Sequence, residues 1–161
     1  MLSIATLPKP VLDGAALHWH ALEGLYGSAP INHLFASSLK IAGEGCSRIE
    51  FEIDESCHHA AGAAHGTVYF KMLDDAAFYA ANTMVTDKFL LTTSFNLHFS
   101  RPARVGKVVA EGRWISGRRR VLVADARLVD SAGEEIGRGT GTFMRSRMAL
   151  SGLPGYAAAL K

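Results

Sequence analysis

Hydrophobic and polar positions follow two periods along this chain, and the changes of period mark out its elements. From Val11 to Leu25 the apolar residues Val11, Leu12, Ala15, Ala16, Trp19 and Leu22 recur at helical spacing. Asp13 stands near the start, where a carboxylate favours the helix dipole. The spacing predicts an amphipathic helix ending near Gly24. Pro30, followed by the apolar stretch Ile31 to Leu39, predicts a second and shorter helical piece. Between 39 and 54 the period drops to two. Ile49, Phe51 and Ile53 alternate there with Glu50, Glu52 and Asp54, the pattern of a strand with one face in water. A loop from Glu55 to Ala64 carries His58, His59 and Gly62.

Residues 66–83, GTVYFKMLDDAAFYAANT, contain no proline and no glycine after the first, and apolar groups occupy nearly every angle of a helical wheel. Such a helix is buried on most sides. Its inner polar residues before Asn82 are Lys71, Asp74 and Asp75. After Asp87 the period is two again, through Phe95, Leu97 and Phe99, then Val108 to Trp114, then Val121 to Asp130, then Glu135 to Arg145. Gly137, Gly139 and Gly141 interrupt the last strand, as glycines do at a bend or a close neighbour. The tail after Met148 reads as a frayed end or a short helix.

A strand, a buried helix and a meander of four strands predict an α+β fold, a curved antiparallel sheet wrapped around one long central helix. In that reading 1–38 is a helical extension, 39–147 the core and 148–161 a tail. A single layer of sheet leaves one flank of an apolar helix uncovered. That flank and the open sheet edges predict a homodimer or a dimer of dimers, a homotetramer.

Composition narrows the classes. At 161 residues the chain is expected to form one domain, and 48% hydrophobic with 20% charged residues excludes a disordered protein. The formal charge of +2, from 17 basic and 15 acidic residues, excludes a generally basic nucleic-acid binder. No basic leader with an apolar core opens the chain, and no 18-residue apolar run occurs. A soluble, unexported, cytoplasmic protein with no membrane partner is expected. Cys46 and Cys57 stand eleven apart, outside the C-x-x-C spacing, and are read as free thiols. His58, His59 and His65 match neither H-E-x-x-H nor a Cys/His zinc frame, so no metal is expected.

The run Gly62-Ala63-Ala64-His65-Gly66, with Asp74 nine positions after His65, resembles the G-x-x-H-G-G…D/E signature of hotdog-fold acyl-CoA thioesterases of the phenylacetate-degradation and 4-hydroxybenzoyl-CoA type. The stretch Thr92 to Pro102 (TTSFNLHFSRP), Gly106, and Gly137 to Phe143 (GRGTGTF) are similar to later parts of that family's pattern. The likeness spans about Ile49 to Arg145. Thr67 stands where the second glycine is common, and His59 where many members carry Asn. The resemblance implies a hotdog fold, hydrolysis of an acyl-CoA thioester without a cofactor, and a role for Thr92 in holding water from a neighbouring subunit. Dehydratases or hydratases of acyl thioesters share that fold, as does a non-catalytic acyl-CoA-binding module. The acid nine residues behind H-G favours the thioesterase over the dehydratase.

The residues can be read chemically beside that likeness. A carboxylate buried on a helix is costly unless it is paired or neutralised. Lys71 can reach Asp74 at i+3 or Asp75 at i+4, so one acid has a local partner. The pair is assigned to Lys71–Asp75, and Asp74 is expected to project into a cleft as nucleophile or general base. Gly66 and Thr67 open the helix, where free N–H groups hold an oxyanion and the absence of a side chain lets a carbonyl approach Gly66. His65 and His59 stand nearby to orient the carbonyl or the attacking water. Arg118, Arg119 and Arg120 share one turn and suit the phosphates of coenzyme A, with Arg101, Arg104 and Lys107 as a second basic group near them. Tyr69, Phe70, Phe78, Tyr79 and Phe143 either shape an acyl pocket or fill the core.

Overall fold

A computed structural model describes residues 13–161, so Val11 and Leu12 of the first expected helix lie outside the described residues. Helix α1 spans Gly14–Ser28, and Asp13 caps it by accepting the Ala16 N–H at 2.8 Å. It runs a turn beyond Gly24, because Gly24 serves packing rather than termination. A Cβ there would run into Ala159 of the C-terminal helix. Helix α2, Pro30–Phe35, follows after one extended residue, with Pro30 in the first turn.

The region read as one strand is a hairpin, β1 (Ser38–Gly43) and β2 (Cys46–Ile53). Gly43 and Gly45 supply its turn at positive φ, 143° and 71°. Then come α3 (Gly66–Asn82), β3 (Lys88–Phe99), β4 (Gly106–Ser116), β5 (Val121–Asp130), β6 (Glu135–Ala149) and α4 (Pro154–Ala159). All strands are antiparallel in the order β1-β2-β4-β5-β6-β3. The expected four-strand meander is therefore corrected. Of those four strands only β4, β5 and β6 are consecutive neighbours, while β3 crosses to the far edge and pairs with β6. The physical reason lies in α3, which fills the concave side and places β2 and β3, its two flanking strands, at opposite borders of the β4–β6 meander.

Helix α3 carries the core. Met72, Leu73, Ala76, Ala77, Ala80 and Ala81 are fully buried against Ile49, Ile53, Leu122, Leu128 and Phe143. The small side chains let the sheet come close. At Gly112 of β4 any Cβ would collide with the Ala76 carbonyl, which also accepts from Ser47 Oγ at 2.6 Å. Gly139 and Gly141 make room in the same way for the Phe95 ring on the neighbouring strand. The short α4 packs on α1, and there His18 is buried. Its Nδ1 meets Tyr156 Oη at 2.8 Å and its Nε2 meets the Asn82 carbonyl at 3.0 Å. No helix of the described residues is long and apolar enough to cross a membrane.

Candidate active site

Two clefts flank α3, one at its N-terminus and one two turns further on. The loop before the helix is stitched by backbone bonds from His59 N–H to Ala63 O at 2.9 Å, Ala64 N–H to Ala103 O at 2.8 Å and His65 N–H to Cys57 O at 2.8 Å. His65 then caps the helix. Its Nδ1 accepts the Thr67 N–H at 3.1 Å and lies 3.1 Å from Thr67 Oγ1. Thr67 N–H is thus engaged, whereas Gly66 N–H, first of the helix, meets no acceptor among the described residues. Gly66 lines a cleft of about 420 Å³ with His59, Tyr69, Phe99, Ser100 and Arg101. The Phe99 ring, 60% exposed, lies so close that a Cβ on Gly66 would stand 3.2 Å from it. Tyr69 fixes the opposite wall, donating to Arg101 O at 2.7 Å and accepting from Ala103 N–H at 2.6 Å.

Asp74 opens on the second cleft, about 250 Å³, whose walls include Phe78, Tyr79, Phe89 and Leu91. Thr92 of β3 donates from Oγ1 to Asp74 Oδ1 at 3.0 Å and to Oδ2 at 3.3 Å. Burial pushes the Asp74 carboxyl up to about 6, with the neighbouring Asp75 charge adding to the rise, while the Thr92 hydroxyl and Lys71 act against it. At neutral pH the group is mostly ionised and far more basic than an ordinary carboxylate. Within the chain, Thr92 contacts the Asp74 carboxylate itself.

Asp75 takes the other part. It pairs with Lys71 as the i+4 spacing predicts, and burial raises its carboxyl against the pull of that ammonium. Lys71 also donates to Asn32 Oδ1 at 2.6 Å, under the rings of Tyr26 and Phe35 at 5.2 and 5.6 Å. Nothing in the periodicity singled out Asn32. Its only signal was Pro30, which starts the short helix that carries it.

The remaining expected residues separate. Phe143 is 0% exposed behind Phe78, with ring centroids 5.9 Å apart, so it packs the core and lines neither cleft. The alternation of β6 turns it inward. Phe78 and Tyr79 line the Asp74 cleft and Tyr69 the Gly66 cleft, while Phe70 lies half-exposed against Phe95. His59 lines the Gly66 cleft with Nδ1 accepting from Ala61 N–H at 3.1 Å. The two basic groups do not meet. Arg101 and Lys107 lie at one end of β4 and Arg118 and Arg119 at the other, about 35 Å apart along an extended strand of that length. Arg101 pairs with Glu134 at 2.9 Å, and Arg118 pairs with Glu44 at 3.6 Å and lies over Trp114. The cross-strand row Leu122, Phe143, Thr92 places the Arg118–Arg120 turn at the Asp74 end of the sheet.

Comparison with known proteins gives this geometry a setting. The family model of the thioesterase superfamily matches residues 61–136, which include the Gly66 N-terminus, Asp74 and Thr92. No curated protein matches the chain in sequence. Among solved structures, the Escherichia coli PaaI protein from the phenylacetic acid degradation operon superposes with a TM-score of 0.77 at 16% identity, over 84% of this chain and 97% of that one. A point mutant of the phenylacetic acid degradation protein PaaI from Thermus thermophilus gives 0.67 at 22% identity, over 73% and 100%. A thioesterase from Haemophilus influenzae gives 0.69 at 19% identity, over 76% and 86%. These likenesses establish the curved sheet around a central helix as the hotdog fold.

Proposed function

We propose, from the thioesterase-superfamily model's match to residues 61–136 and the hotdog fold around it, that this protein hydrolyses an acyl-CoA thioester to the free acid and coenzyme A. The observation that carries the reading is Asp74, a carboxylate in an apolar cleft, raised to about 6 and oriented by Thr92. Asp74 acts either by taking a proton from water as that oxygen bonds to the carbonyl carbon, or by attacking the carbonyl itself. The tetrahedral intermediate carries its negative charge on the former carbonyl oxygen, and a free helix N–H such as that of Gly66 is the donor it needs. Collapse breaks the C–S bond. On the general-base route the proton Asp74 took from water passes to the departing thiolate. On the nucleophilic route the thiolate takes a proton from solvent, and water then hydrolyses the acyl-aspartyl anhydride to the free acid.

One chain cannot supply both groups to one carbonyl. Gly66 and Asp74 are eight residues apart on α3, about 12 Å along its axis. A second copy with its α3 antiparallel sets the Gly66 N–H of one chain against Asp74 of the other, with two equivalent sites per dimer. The long β3 edge and the exposed Phe70, Leu91 and Phe99 support that pairing. Arg118 and Arg119, at the Asp74 end, are the groups for the phosphates of coenzyme A, and the cytoplasm is the compartment where that substrate is met.

The test is thiol release from a panel of aliphatic and aromatic acyl-CoAs by wild type and Asp74→Asn side by side. Turnover lost in the variant supports the reading. Release that persists undiminished without the carboxylate overturns it.

A further inference from the structure

The wall of the Asp74 cleft that faces away from the sheet comes from the N-terminal helices. Ala29, Ile31 and Asn32, at the corner between α1 and α2, line it together with Phe78, Phe89 and Leu91. This corner is held in place. Asn32, 6% exposed, donates from Nδ2 to the Tyr26 carbonyl at 2.7 Å and accepts from Lys71 at 2.6 Å, so the corner is tied to α3 through the lysine that pairs with Asp75. Pro30 restricts the backbone between them. The corner is therefore a fixed wall rather than a lid.

Two features say which part of a thioester enters here. Among the described residues no lysine or arginine lines the cleft, so a phosphate-bearing moiety finds no counter-charge, whereas an apolar acyl group finds aromatic and aliphatic side chains. The part of the cleft that one chain forms is small, about 250 Å³, against the roughly 300–1,000 Å³ usual for small-molecule sites, and the corner bounds it on this side. Ile31 is 47% exposed and is the bulkiest side chain the corner presents to it.

We propose that the α1–α2 corner is the steric stop for the acyl group and that Ile31 sets the longest acyl chain accepted. This rests on the thioester reading of the site and adds a specificity-determining residue outside the span 61–136. Against a fixed apolar wall, one methylene too many changes kcat/KM by about 10–200-fold.

The experiment uses the full chain and a series of straight-chain acyl-CoAs from butyryl to dodecanoyl, for wild type, Ile31→Ala, Ile31→Trp and Leu34→Ala. Kd values for the matching non-hydrolysable thioether analogues, by calorimetry, read the same preference without turnover. Ile31→Ala moves the length cutoff to longer chains and Ile31→Trp to shorter ones, in kcat/KM and in Kd alike. Leu34, on the same short helix but 78% exposed and outside the cleft, leaves the cutoff where it is when truncated. An unchanged cutoff in both Ile31 variants, an equal change in Leu34→Ala, or no binding of any thioether overturns the steric stop. A Kd cutoff that follows Ile31 in a protein without Asp74-dependent hydrolysis overturns the hydrolase reading and leaves the stop standing.

Discussion

Thr92 Oγ1 donates to both oxygens of the Asp74 carboxylate, at 3.0 and 3.3 Å, from a strand that reaches the helix across the open border of the sheet. A hydroxyl in that position favours the ionised acid and fixes its rotamer. Thr92→Val is expected to raise the Asp74 carboxyl above its present value of about 6 and move the acid limb of the kcat/KM profile to higher pH. Loss of a hydrogen bond to a charged group also predicts a fall in kcat of roughly tenfold. Thr92→Ser should restore both. A pH–rate profile unmoved by the valine would remove Thr92 from the machinery.

The buried Asp74 carboxylate costs the fold stability. Its carboxyl sits at about 6 in the folded chain against an ordinary 3.8, so the folded state binds the extra proton between those values. Stability therefore falls as pH rises through that window. Asp74→Asn removes the buried charge, and the variant is expected to be more stable than wild type by about 1–3 kcal/mol at pH above 7. The gain should vanish near pH 4. Denaturant midpoints at the two pH values check this, and an equal difference at both would show that the shift is absent.

Two defective chains should repair one another if Gly66 and Asp74 act across a dimer. Gly66→Ala puts a methyl against Phe99 and blocks the approach to the amide, and Asp74→Asn removes the base. An equal mixture of the two proteins, unfolded and refolded together, forms heterodimers with one intact and one doubly defective site. Random assortment then returns roughly a quarter of wild-type activity. Activity no greater than the sum of the two variants alone contradicts the two-chain site.

The Arg118–Arg120 turn should matter to coenzyme A and not to the acyl group. Mutating Arg118 and Arg119 to Ala is expected to raise KM for CoA thioesters about tenfold, with little change for short thioesters that lack the nucleotide. Arg101→Ala, with its Glu134 pair at the other end of the sheet, should do much less. Steady-state kinetics on both substrate types decides the matter, since an equal rise on each would mean the turn acts through the fold.

His18 makes the seam between α1 and α4 sensitive to acid. Its Nε2–H donates to the Asn82 carbonyl, which leaves Nδ1 to accept from Tyr156 Oη–H, so the ring is held neutral. Burial moves its acidity below the ordinary 6.5. The unfolded chain is then protonated first on acidification, and this contribution, complete above the ordinary value, is lost as pH falls through the lowered one. Tyr156→Phe takes away the donor to Nδ1, at a cost of about 1 kcal/mol near pH 8. Thermal melts of wild type and variant at pH 8 and pH 5 should converge on the acid side.

The sequence was most readable where one element makes its own pattern. Helix α3 stands at Gly66–Asn82 almost where its continuous apolar run placed it, and of the two acids within reach Lys71 pairs with Asp75. Asp74 was singled out by the resemblance, nine positions after His65, and by the assignment of Lys71 to Asp75. Relationships set by the sheet were hidden. Nothing in residues 88–99 says that they pair with β6 instead of β4, and the β1–β2 turn at Gly43 and Gly45 carries too short a first strand to show an alternation. The distance between Arg101 and Arg118 followed from β4 running its full length between them. Asn32 was invisible because its role depends on a lysine 39 residues away.

Gly112 lies so close to the Ala76 carbonyl that the helix and the sheet have no slack between them, and the alanines of α3 fill what remains. Selection for a new substrate thus has little to change on that side. Any enlargement there breaks the core before it alters the cleft. The α1–α2 corner is free of this constraint, because its apolar side chains face the cleft and its ties to α3 run through Asn32 and Lys71. Divergence among chains of this architecture is then expected to concentrate in the segment before the first strand, with the helix that carries the acid held nearly constant.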